Sequence, residues 1–147
     1  MSELQLIKKK DRLLAILIKN NYCCEGVDFL TPNEFSQQLA YMHHPAGKMI
    51  DAHVHNLVHR NVAFTQEVLF IKKGKLRVDF YDDYKDYLES RILEAGDTIL
   101  LTSGGHGFKV LEEVEMIEVK QGPYSGDMDK TRFEGITDEE VVIKNEE

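Results

Sequence analysis

From Phe35 to Gln121, apolar and polar residues alternate with a period of two, and Gly, Pro, Asp or paired Glu residues break the alternation about every ten positions. This pattern predicts short β-strands over residues 37–44, 48–55, 64–72, 75–81, 87–93, 97–102, 107–111 and 114–121. In 75–81, Leu76, Val78 and Phe80 fall on one face while Arg77 and Asp79 fall on the other, so one face is core. Reversals are predicted at Pro45-Ala46-Gly47, Lys73-Gly74, Asp82-Asp83, Ala95-Gly96-Asp97 and Glu112-Glu113. Eight strands in this spacing suit an all-β jelly-roll barrel over residues 37–121. Residues 1–36 read as an N-terminal extension. Within it, 12–19 is dense in Leu and Ile and predicts a strand buried on both faces. Thr31-Pro32-Asn33-Glu34 reads as the start of a helix, with Thr31 as cap, that lasts one turn at most. After Gln121 the periodicity is lost, and 122–147 reads as a peripheral or partly disordered tail.

Composition narrows the class. The chain has 147 residues, 42% hydrophobic and 30% charged, which fits one soluble globular domain. Eighteen basic residues against twenty-six acidic ones give a formal charge of -8, which repels a phosphate backbone and argues against nucleic acid as a partner. The basic run Lys8 to Lys10 with Arg12 reads as a solvated face. The apolar run 13–18 is too short for a membrane span or a secretory signal, so the expected location is the cytoplasm, with no membrane partner. Cys23 and Cys24 are adjacent and lack C-x-x-C spacing, so both are expected as reduced thiols.

The histidines carry the chemical signal. Five of the six lie between positions 43 and 59, and the sixth is His106 in Gly104-Gly105-His106-Gly107-Phe108. On a strand, His53 and His55 project from one face with Cα atoms about 6.6 Å apart, a spacing at which both imidazoles reach a common ion. A solvated H-x-H pair is the competing interpretation. Glu67 qualifies as a third ligand because a carboxylate adds negative charge to two neutral imidazoles, and strand parity sends Gln66 to the opposite face.

The order of these residues, His53-x-His55, Glu67 and Gly74, then Gly96-Asp97 and Gly104-x-His106, resembles the two motifs of the cupin family. The segment Asn56 to Gln66, between the second histidine and the glutamate, is longer than in most cupins. Thr102 stands where a proline is usual, and Val110 where an asparagine often sits. The resemblance implies a double-stranded β-helix holding one divalent transition metal (Zn, Fe, Mn, Ni, Co or Cu) through His53, His55, Glu67 and His106, with coordination positions left open. At a finer level the chain resembles small single-domain bacterial cupins without an assigned activity, associated with surface-glycan and acidic-sugar biosynthesis. That implies a metal-dependent enzyme acting on a sugar, sugar nucleotide or sugar acid, whether as an isomerase or epimerase or as an oxygenase. One alternative is a metal-independent sugar-nucleotide isomerase or epimerase using the barrel histidines. A non-catalytic ligand-binding cupin is another. Tyr41, His59, Arg60, Lys120 and Tyr124 are the candidates for contact with such a small-molecule ligand. A homodimer is the expected assembly, with strand 12–19 as its pairing element.

Overall fold

The computed structural model describes residues 3–145, and they divide into two compact units: residues 3–22 with 65–145, and Cys23–Phe64. The first unit is a curled antiparallel half-barrel of six strands, β1 (Leu4–Lys9), β2 (Arg12–Ile18), β5 (Glu67–Tyr81), β6 (Tyr87–Glu94), β7 (Thr98–Leu101) and β8 (Gly105–Lys120). The second unit contains one antiparallel hairpin, β3 (Gly26–Phe29) with β4 (Ala40–His43). The all-β class is therefore observed.

In the first unit the strand order is β1-β2-β7-β5-β6, and β8 lies along the other edge of β5. β2 is buried on both faces, as its run of Leu and Ile predicts. Both of its edges are occupied, by β1 and by β7, so it is an interior strand of its own sheet and has no free edge for pairing with a partner. β1 has no counterpart among the predicted strands. Its core face carries Gln5 beside Ile7, and a polar residue at a core position hides the alternation. Gln5 is accommodated because its Oε1 accepts a hydrogen bond from Arg91 at 2.8 Å and its Nε2 donates to the Asn145 carbonyl at 2.9 Å. The core gathers Ile7, Leu14, Leu17, Leu69, Ile71, Leu76, Val78, Phe80, Leu93 and Ile99 from five strands. Removing this apolar surface from water is the main stabilising term of the unit.

Two predicted reversals are not reversals. At Lys73-Gly74 and Glu112-Glu113 the chain continues, so that four predicted segments become two long strands, β5 and β8. The β5–β8 register shifts at Ile71/Lys73, Lys73/Lys75 and Lys75/Leu76, which makes these positions a bulged bend rather than a turn. Gly74, at φ +90°, sits at this bend, and a Cβ there would lie 1.9 Å from the Glu113 carbonyl oxygen. On one side of the bend Glu67–Phe70 pairs with β7; on the other, Lys75–Tyr81 pairs with β6. The connection between β6 and β7 follows the same corner, where Gly96 N–H donates to the Ile71 carbonyl at 2.7 Å and Ile71 N–H to the Asp97 carbonyl at 3.0 Å. Asp97 is fully buried, and its carboxylate accepts hydrogen bonds from the backbone N–H of Asn20 and Glu94 and from Lys19 Nζ.

In the second unit, the strand predicted over 48–55 does not form, and residues 44–64 run as irregular chain and turns. The predicted helix start at Thr31 is instead a wrapped loop. Thr31 Oγ1 donates to Gln38 Oε1 and accepts the Leu39 N–H, while Gln38 Nε2 donates to the carbonyls of Pro32 and Phe35. These local bonds satisfy the backbone groups that a helical turn would otherwise use. The helical residues described are two short 3-10 turns, Gly126–Asp129 and Asp138–Glu140, in the C-terminal segment.

Candidate functional site

The bend in the β5–β8 ladder has a consequence for chemistry. In register, Glu67 pairs with Lys120 at one end of the ladder and His106 pairs with Phe80 at the other. The bend folds the two ends toward each other, and His106 Nε2 comes to 3.6 Å from Glu67 Oε2. Partner residues on neighbouring strands share a face. His106 therefore shares the face of the buried Phe80, and Glu67 that of the buried Leu101, so both point to the inside of the half-barrel. Their side chains keep 28% and 14% exposure, which leaves the pair reachable from solvent. Two residues before His106, Gly104 (φ +70°) lets the start of β8 pass close against β5, because a Cβ there would lie 2.4 Å from the Tyr81 carbonyl oxygen.

The facing His106 imidazole holds the Glu67 carboxyl below the usual carboxylate range. Partial burial opposes this, while the charges of His106, Lys120 and Lys130 reinforce it. Glu67 is thus a carboxylate near neutral pH. Two donors on one ion, each about 2.1 Å from it, stand about 3.0 Å apart at right angles and about 3.4 Å apart in a tetrahedron. The 3.6 Å separation lies just beyond the tetrahedral spacing, so a small inward movement would let the pair ligate one small divalent cation.

His53 and His55 lie in the second unit, on irregular chain instead of the predicted strand, and they still meet. Their ring centroids are 5.2 Å apart in an edge-on arrangement. His53 Nδ1 donates to the Asp51 carbonyl at 2.8 Å, and in the neutral ring this leaves the Nε2 lone pair available to a ligand. Among the described residues, neither pair is joined within its unit by a third His, Cys, Asp or Glu to make a metal-binding group of three.

The remaining candidates are spread over both units. Tyr41 lies half-buried in β4, and its phenol is pushed up by burial first and then by the neighbouring thiol of Cys23. His59 and Arg60 are exposed on the irregular segment, where Arg60 Nη1 reaches the Val58 carbonyl at 3.5 Å. Tyr124 is 90% exposed. Of these five, Lys120 stands beside the Glu67–His106 pair. Lys130 was not anticipated from sequence. It lies in a segment without periodicity, and the bond from Thr65 Oγ1 to the carboxylate of the preceding Asp129 brings its charge to bear on Glu67. Comparison of the chain with family models, with curated proteins and with solved structures found no match.

Proposed function

We propose that this chain is a metal-dependent cupin that acts on a small carbohydrate-type molecule, with His53, His55, Glu67 and His106 as ligands to one divalent transition metal. The observation that carries this reading is the meeting of Glu67 and His106, two motif residues from opposite ends of a bent strand pair, at a separation one cation can span. His53 and His55, paired edge-on with the His53 Nε2 lone pair available, supply donors of the right type. A bound metal would polarise a substrate oxygen. The chain's own contribution is to hold Glu67 ionised and to keep its partner imidazole in place.

Metal analysis of protein purified without a histidine tag tests the reading. The expected result is about one metal per chain, lost in both His53→Ala and His106→Ala. Metal-free wild-type protein would sink it. One observation favours a second reading, metal-independent acid–base catalysis, because a carboxylate facing an imidazole is also a proton-transfer pair. In that case a metal-free preparation would convert a sugar nucleotide, and His106→Ala would abolish turnover without any change in metal content.

A further inference from the structure

We propose that Lys120 and Lys130 form an anion subsite beside Glu67 and His106, which takes a carboxylate or phosphoryl group of the substrate. The proposal rests on the reading of this pair as the place where substrate binds, and it names the chemical class of that substrate.

Three stretches of chain converge at this end of the half-barrel. The row Leu101–Glu67–Lys120 runs across three adjacent strands in register, so Lys120 shares the inward face of Glu67. Next to it, Gln121 N–H donates to the Gln66 carbonyl at 3.1 Å, which fixes the end of β8 against the start of β5. The third stretch is the 3-10 turn Gly126–Asp129, tied down by the Thr65 hydroxyl on the Asp129 carboxylate, two residues before Glu67. That tether delivers Lys130. The bent ladder brings in His106 from the opposite end.

Among the described residues, no ion pair joins either ammonium to Glu67. The carboxylate of Asp129 is turned to Thr65, and Lys120 makes a long 3.8 Å pair with the exposed Glu118. Lys120, in register opposite Glu67, and Lys130, next in the chain to the tethered Asp129, thus stand at this end of the half-barrel without pairing to the carboxylate. In a chain of net charge -8, an anionic ligand is repelled over most of the surface, and two lysines at one end of the half-barrel, beside a partly open carboxylate–imidazole pair, offset that repulsion locally. Lysine ammoniums are point charges with rotatable donors, suited to either oxyanion.

Titration of the full-length, isotope-labelled chain with inorganic phosphate, and separately with glucuronate, at constant ionic strength tests the subsite by amide shifts. The proposal expects saturable shifts at Gln66, Glu67, Gln121 and Lys130. Affinity should fall roughly tenfold in Lys120→Ala and in Lys130→Ala, recover in Lys130→Arg, and stay unchanged in Lys48→Ala, a change at an exposed lysine of the other unit. Saturation by phosphate alone assigns a phosphoryl group, by glucuronate alone a carboxylate, and by both a general oxyanion subsite. Absence of saturation with either anion, or an equal loss in Lys48→Ala, overturns the proposal. Metal content measured on the same samples separates the two readings: metal-free wild-type protein that still binds the anion through these lysines removes the metal reading and leaves the subsite standing.

Discussion

At the scale of single residues, charges in the first unit are stabilised by partners that differ in exposure, and the difference sets what each substitution costs. Glu67 has its pKa lowered in the folded chain from 4.5, so its contribution to stability is present above that value and is lost as pH falls through the lowered folded value. Glu67→Gln should therefore destabilise by about 1 kcal/mol at pH 7, and the gap between variant and wild type should close below pH 4. Urea unfolding at the two pH values measures this; a gap that persists in acid would mean that packing, not charge, is what the substitution removes. Asp79 presents a sharper case. Its carboxylate accepts both Arg77 Nε and Nη2, at 2.8 and 3.0 Å, as well as the Ser90 hydroxyl, and Arg77 and Asp79 are 7% and 6% exposed. Asp79→Asn leaves a buried guanidinium short of its main counter-charge and should cost about 3–5 kcal/mol. Asp138→Asn removes the other partner of the same guanidinium, but Asp138 sits in water with its side chain 59% exposed, so its loss should be much the smaller. Paired unfolding curves decide between them, and equal costs would contradict the assignment of Asp79 as the main partner.

Elements make the site through one deformation, the bend shared by β5 and β8. Gly74→Ala places a Cβ 1.9 Å from the Glu113 oxygen and 2.9 Å from Val114 Cα, backbone atoms that cannot swing aside, in a residue at φ +90°. It should cost about 3 kcal/mol or more and separate Glu67 from His106. Gly47→Ala has nearly the same backbone angle, φ +87°, with nothing within 4 Å of its Cβ, and should cost only about 1 kcal/mol. Unfolding midpoints for the two variants measure the difference, and similar values would show that strain at φ, not the close approach of β8, is what matters. The same bend explains how far the sequence could be read. Strand parity placed Leu76, Val78 and Phe80 on the core face and Glu67 on the side of Leu69 and Ile71, because alternation is a local property. Lys73-Gly74 and Glu112-Glu113 carry the residues of a turn, but a bulge uses those residues too, and only the pairing of the two strands with each other distinguishes a bend from a reversal. β1 was concealed by Gln5, whose burial depends on Arg91, 86 positions away. Lys130 gave no local signal, since it is placed on the side of Glu67 by a contact between Thr65 and Asp129, 64 positions apart.

For the first unit as a whole, the C-terminal segment, read from sequence as a peripheral or partly disordered tail, is laid along the outer edge of the sheet through one bridge at Ile143. Ser90, at the outer edge of β6, donates its N–H to the Val142 carbonyl at 2.8 Å and accepts the Lys144 N–H at 2.9 Å, a parallel pairing with Ile143. The Tyr81 hydroxyl accepts the Ile136 N–H, and Asp138 reaches Arg77 and Lys109 on β5 and β8. The segment thus covers the polar row Arg77–Asp79–Ser90 and occupies an edge that would otherwise be open for pairing. Removing residues 134–147 should leave the β5–β6 ladder intact, because Leu76, Val78, Phe80 and Leu93 on its two strands carry their own apolar contacts, while the outer edge of β6 loses its partner. The expected pattern in hydrogen exchange is specific: the Ser90 amide, now without Val142, exchanges fast, whereas the Val78 and Phe80 amides on β5 remain protected. The melting temperature should fall by about 5 °C, with concentration-dependent association as the freed edge seeks a new strand. Loss of protection throughout β5 and β6 together would instead show that the segment belongs to the folding unit of the sheet and is not an edge laid on a sheet already stable without it.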